Sequence, residues 1–184
     1  MNLIEENSTD QQKMQMISDI TDYLVNALTD SSASLRRALI LIDIDENPNI
    51  TQAELSERLE EDKSTISRNI EWLFDHGCIR RHNDYADARI ILLRSSDFSS
   101  RHLSQALKYF DGNHELLKKY LKTLIKMFSE GIPTLREIKA LSVVGAKGGA
   151  APADLNDELY DSPASTQRRI LSSLTDADLL IRDE

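Results

Sequence analysis

Residues 62–81, DKSTISRNIEWLFDHGCIRR, constrain the fold of this chain more than any other stretch. Asp62 is a residue type that caps helix N-termini. Ile66, Ile70 and Leu73 follow at i, i+4 and i+7, the spacing of a single buried stripe on a helix of about four turns. Gly77 stands where such a helix leaves in the left-handed conformation. Ser64 and Arg68 fall opposite the stripe, with Thr65 and Ser67 beside them near the helix N-terminus. Just upstream, Thr51 and Glu54 form a capping-box pair that opens TQAELSERL. Leu55 and Leu59 in that segment are spaced to pack on the next helix, across a turn of about three residues.

After Gly77, residues 78–82 and 88–93 read as two short strands around the polar turn NDYAD. Two helices joined by a tight turn and followed by a hairpin make a winged helix-turn-helix, so the fold class is mainly α with a small β wing. In such folds the N-terminal end of the second helix enters the DNA major groove. The expected base-reading residues are therefore Ser64, Thr65, Ser67 and Arg68. In the wing, Asp87 and Arg89 lie two apart, which lets the carboxylate fix the guanidinium for a minor groove. Lys63, Arg80, Arg81 and Arg94 are placed to hold phosphates.

The TQAELSERL helix, the DKSTISR start of the reading helix, the HGCIRR exit and DAR in a D-x-R wing closely resemble the MarR family of bacterial and archaeal regulators. The resemblance covers roughly residues 33–95, and the flanking helices only by position. It implies a homodimer, joined by N- and C-terminal helices, that binds palindromic double-stranded DNA and regulates transcription as a repressor or activator.

Charge has to be divided along the chain to be informative. The net charge of −9 is unusual for a DNA binder, yet residues 1–31 and 32–62 each carry −5, residues 63–94 and 95–131 each carry +2, and residues 132–184 carry −3. Basic charge is thus concentrated in the reading helix, the wing and the helical region after it, where local phosphate contacts decide affinity. With 184 residues and 40% hydrophobic content the chain can bury a substantial core. A single cysteine leaves no internal disulfide framework, and no apolar run is long enough for a signal peptide or a membrane span. A cytoplasmic protein is expected.

The flanks divide the chain further. Residues 1–32 contain QQKMQMISDITDYLVNAL, an amphipathic helix with Met16, Ile20, Tyr23 and Leu24 near one face. The resemblance gives this helix to the dimer interface, and packing on its own domain is the alternative. LRRALILIDI at 35–44 supplies the first core helix of the winged domain, residues 33–95. Residues 96–131 hold two more helical stretches, broken at residues 111–113 and expected to dimerise, with Leu116, Tyr120, Leu124 and Met127 as the inner stripe and the lysines elsewhere.

Residues 132–184 read as a second, degenerate winged-helix module. ADLNDEL at 153–159 matches AELSERL at 53–59, and STQRRILSSL at 165–174 matches STISRNIEWL at 64–73. Thr134 and Glu137 offer another capping box ahead of LREIKALSVVG, and the Gly-rich AKGGAAP lacks the ending of a phosphate loop. Ile170 or Leu171, Leu174 and Ala177 pack inward, whereas Ser165, Arg168 and Arg169 project outward, with Gln167 in the place of Ile66. The module is expected to lack a complete wing. It contacts either DNA or a protein partner. An acidic chain of tandem winged helices also resembles the ScpB-type partners of chromosome-organising complexes, so a protein-interaction factor stands as the alternative to a regulator.

His76, His82, His102 and His114 share no metal-ligand spacing. Cys78 sits at an apolar position, as a small hydrophobe and not a sensing thiol. Neither a nucleophile–base–acid set nor paired carboxylates nor a nucleotide-binding loop is visible, so neither enzymatic activity nor a cofactor or metal is expected.

Overall fold

The computed structural model describes residues 9–128, 131–149, 155, 159–160, 163–176 and 179–180. Helix α1, Asp10–Leu28, opens on a Thr9/Gln12 capping box and buries Ile20, Leu24, Ala27 and Leu28. Those residues pack on α5 (Asp97–Leu107) and α7 (Leu135–Lys147) of the same chain. At the crossing with α7, a Cβ on Gly145 would lie 2.9 Å from Sδ of Met14, so the glycine permits the close approach. Polar groups join the same interface: Lys139, 5% exposed, donates to Ser18 and to Asp22, each at 2.7 Å. The apolar face of α1 therefore finds its cover within the chain.

Helix α2, Leu35–Glu46, is the central rod. It is apolar on nearly all sides, with Leu35, Ala38, Leu39, Ile40, Leu41, Ile42 and Ile44 buried, because other elements surround it. Its Asp43 is 1% exposed and is taken up by Arg58 Nε at 2.9 Å and Lys118 Nζ at 2.9 Å. Strand β1, Ile50–Thr51, leads directly into α3, Gln52–Leu59, and α4 is Lys63–Asp75. The wing consists of β2, Ile79–Asn83, and β3, Ile91–Ser95, antiparallel with Arg80 opposite Arg94. Strand order is β1-β3-β2.

The wing differs from the sequence expectation in two ways. A two-residue strand, β1, completes the sheet; it is too short to leave a period-two pattern. Strand β3 begins at Ile91, not at residue 88, because Asp84 and Asp87 accept backbone N–H groups of Ala86, Asp87 and Arg89 and hold residues 84–90 in a turn.

Helix α5 runs through a short 3-10 turn, Lys108–Phe110, to Asp111 and Gly112, both with positive φ. This is the expected break, and Asn113 then caps α6, His114–Met127. The inner face of α6 is a correction: Leu117, Leu121 and Leu124 are buried with Lys118, whereas Met127 is 48% exposed and Leu116 and Tyr120 sit at the core edge. Both stripes include Leu124, and a polar partner beyond sequence range decides between them. Asp43 and Glu46 draw the Lys118 ammonium inward, at 2.9 and 2.6 Å.

One core joins α1 through the start of α7. A second, smaller cluster comprises Ala140, Val143, Leu155, Leu159, Ile170 and Leu174, and spans α7 and α8, Ala164–Asp176. Thr134 and Glu137 form the expected capping box of α7, and Gln167, Ile170 and Leu174 face inward on α8 while Ser165, Arg168 and Arg169 are exposed. Of ADLNDEL only Leu155 and Leu159 belong to the described residues, and both are buried. Ala177, residues 150–152 of the Gly-rich connection and the final residues 181–184 lie outside them. Among the described residues no helix is long and apolar enough to cross a membrane.

Candidate nucleic-acid interface

The reading helix is set at both ends by its own sequence. At the start, Oδ1 of Asp62 accepts from the Ser64 hydroxyl at 2.6 Å and from the Thr65 N–H at 2.8 Å. Those hydrogen bonds, that of Ser64 foremost, hold the Asp62 carboxyl far below the usual carboxylate range. At the finish, Gly77 N–H donates to Phe74 O at 2.9 Å and Cys78 N–H to Leu73 O at 2.8 Å. That is the Schellman pair, with φ of +68° at Gly77. The turn before α4 is tied as well: Glu60 is left-handed, and the Ser56 hydroxyl donates to Glu61 O at 2.6 Å. Ile66, Ile70 and Leu73 are buried as their spacing requires.

The opposite face is open. Lys63, Ser64, Ser67 and Arg68 are exposed and Thr65 is half-exposed. The Ser64 proton is committed to Asp62, so its oxygen is offered as an acceptor. Arg68 is held only by long contacts, Nε to Ser64 O at 3.3 Å and Nη2 to Thr65 Oγ1 at 3.4 Å. Its guanidinium is free to turn toward a ligand at the helix N-terminus.

In the wing, Arg89 forms the expected fork with Asp87: Nε to Oδ1 at 3.0 Å and Nη2 to Oδ2 at 2.9 Å. This pairing raises the Arg89 pKa and lowers that of Asp87. The Arg89 side chain remains 91% exposed. Arg80 and Arg94 stand side by side across the strands on the exposed face, with Asp97 3.1 Å from Arg80. Arg81 faces the other way. It reaches Glu71 at 2.7 Å and lies over the Phe74 ring at 4.4 Å, fastening β2 to α4. The phosphate set expected from sequence is thereby split: Lys63 and Arg94 are open, Arg80 is exposed but paired with Asp97, and Arg81 is turned to Glu71.

Sequence reasoning passed over Tyr85, which stands fully exposed at the wing tip. A lone aromatic inside the polar turn NDYAD was the available signal. The reading of Cys78 from sequence holds: it is buried, its thiol pushed up to about 11 by burial. Trp72 is stacked on His76 at 3.7 Å under Arg37 at 4.1 Å. Among the described residues no cluster of His, Cys, Asp or Glu has the makings of a metal site.

The MarR family model matches residues 34–91. Similar solved structures include FabT of Streptococcus pneumoniae in complex with DNA, at 20% identity over 50% of this chain and 72% of that one, with a TM-score of 0.35. The adhesin competence repressor AdcR of Streptococcus pyogenes shares 18% identity over 51% and 66%, with a TM-score of 0.41. Reduced HlyU of Vibrio cholerae shares 24% over 53% and 95%, with a TM-score of 0.37. No curated protein matched. The matched segment runs from α2 to the start of β3, and residues 34–91 are thus similar to the MarR family over a stretch that folds as a helix-turn-helix with its wing.

Proposed function

We propose that this chain is a sequence-specific, double-stranded-DNA-binding transcriptional regulator. The observation that carries the reading is the open face of α4, where Ser64, Thr65, Ser67 and Arg68 line one side of a helix whose other side is locked into the core. Arg68 discriminates bases, since a bidentate guanidinium–guanine contact contributes about 1–3 kcal/mol of selectivity, while short hydroxyls tolerate several bases. Arg89, oriented by Asp87, enters the flanking minor groove, where a narrow groove concentrates negative potential. Lys63, Arg80 and Arg94 hold phosphates, and Arg81 holds the wing to the reading helix.

Two copies on a palindrome is the arrangement that the family resemblance implies. The face of α1 is closed within the chain, so such an association uses α5, α6 and the 3-10 turn between them, where Phe98, Met127 and Tyr109 are exposed. The test is fluorescence anisotropy on labelled duplex DNA, comparing the natural chain with a Lys63→Ala/Arg68→Ala/Arg89→Ala variant. Loss of binding in the variant, with an unchanged melting temperature, is the expected result. Equal binding by both proteins rejects α4 and the wing as the interface.

A further inference from the structure

We propose that α8 is a second DNA-reading helix, so that one chain carries two. The proposal rests on the reading of α4 given above. Its geometric basis is a pair of reciprocal hydrogen bonds: Leu35 N–H donates to Pro133 O and Leu135 N–H to Ala33 O, both at 2.9 Å. They flank an antiparallel bridge between Ser34 and Thr134. Such a bridge is two-fold symmetric in its backbone pattern, and here it relates the N-caps of α2 and α7.

The same hundred-residue offset carries through the packing. Every buried position of α7, namely Leu135, Ile138, Lys139, Ala140, Ser142 and Val143, falls on a buried position of α2. Leu55 and Leu155 are both fully buried. With an offset one residue longer, the burial of α8 follows that of α4: Gln167 takes the buried place of Ile66 and Leu174 that of Leu73, while between them the buried position moves by one residue, from that of Ile70 to Ile170. The exits agree too, with Cys78 N–H on Leu73 O at 2.8 Å and Leu179 N–H on Leu174 O at 2.9 Å.

The outward residues repeat along with the inward ones. Ser64, Thr65 and Arg68 correspond to Ser165, Thr166 and Arg169, with matching exposure, and Arg168 adds a cation where α4 has Ser67. Although residues 132–184 are acidic as a whole, α7 and α8 carry Arg136, Lys147, Arg168 and Arg169 against Glu137 and Asp176, with Lys139 buried against Asp22. Glu137 is turned inward to the Thr134 N–H and hydroxyl and to the Ser173 hydroxyl. Arg136, whose buried Nε has no acceptor, lines one groove with Thr166 and Arg169. Hydroxyls and guanidinium forks on a helix with a buried back match base edges and phosphates of a duplex. Winged-helix dimers bring one reading helix from each subunit to two half-sites; here each polypeptide carries a second reading helix in addition to its α4.

The experiment is hydroxyl-radical footprinting of the full chain on duplexes enriched from a random-sequence pool. The natural chain is compared with Arg68→Ala, with Arg168→Ala/Arg169→Ala, and with Arg168→Lys/Arg169→Lys. The expected result is protection of two kinds, at the α4 half-sites and at further stretches beside them, of which the double alanine variant loses the second kind and Arg68→Ala the first, with affinity for the whole duplex falling roughly tenfold or more in each. The lysine variant keeps phosphate contact but loses sequence preference in those further stretches. Unchanged protection in the double alanine variant, with loss in Arg68→Ala, overturns the second helix and points to a protein-facing surface there, while leaving the function of α4 intact. A pool from which no sequence is enriched overturns both readings.

Discussion

Lys118→Met removes an ammonium that joins α6 to the helix-turn-helix. Its Nζ lies 2.9 Å from Asp43, 2.6 Å from Glu46 and 2.5 Å from Glu115. Burial alone would depress the Lys118 pKa, but the hydrogen bonds to these three carboxylates raise it. The three legs differ in weight. Glu115 is 70% exposed and contributes about 0–1 kcal/mol. Asp43 is 2% exposed, and breaking a buried pair so that one charge is left behind costs about 3–5 kcal/mol. Arg58 still donates to Asp43 through the two contacts seen at 2.9 and 3.2 Å, so the charge is not fully stranded and the expected loss falls below that range, to about 2–3 kcal/mol. Asp43→Asn should cost a similar amount. The double variant should cost less than the sum by about 1 kcal/mol or more, because neither charge is then stranded. Urea unfolding of the four proteins completes the cycle. Strict additivity, or a neutral Lys118→Met, would refute the reasoning. Asp43 belongs to α2, Arg58 to α3 and Lys118 to α6, so this cluster sets the helix-turn-helix against the helix that follows the wing.

The same aspartate gives a pH signature. Burial pushes the Asp43 carboxyl up, but Arg58 and Lys118 outweigh burial and hold it below its unfolded value. Its contribution is therefore complete above about pH 4 and fades as pH falls through the folded value, so Asp43→Asn should flatten the acid limb of a stability–pH curve measured between about pH 5 and 2. Gly77→Ala places a side chain at φ +68° with open space around it, so the loss is backbone strain alone, about 1 kcal/mol in urea unfolding; a neutral result would mean the Schellman exit is not required. Cys78 should react with an aromatic disulfide reagent at pH 8 only as fast as the chain opens, so labelling faster than unfolding would contradict its burial. On the DNA side, Arg68→Ala should relax specificity, whereas Arg94→Ala should weaken all sequences alike and lower the salt slope by about 1. Identical behaviour of these two variants across sequences would remove the division of roles.

Local signals explain what was legible before the structure. Asp62, the Thr51/Glu54 box, Gly77 and the Ile66–Ile70–Leu73 stripe act within one turn or one helix face, and each is found where its spacing puts it. Non-local effects explain the rest. Lys118 reads as a surface lysine until Asp43, seventy-five positions away, draws it in. Strand β3 starts late because two aspartates capture backbone N–H groups, and β1 is too short to register as a pattern. Nothing in QQKMQMISDITDYLVNAL says that its apolar face is covered by α7, since that depends on Gly145 allowing contact with Met14. For the interface, the sequence identified the cations, but only the register of β2 against β3 separates outward Arg80 and Arg94 from inward Arg81.

The most direct measurement is selection and sequencing of duplexes bound by the purified chain from a random pool, at two salt concentrations. Reading by α4 and the wing predicts an enriched motif with half-sites about one helical turn apart, retained at the higher salt with reduced affinity. Absence of any enriched sequence, with binding that collapses as salt rises, would contradict a sequence-specific regulator.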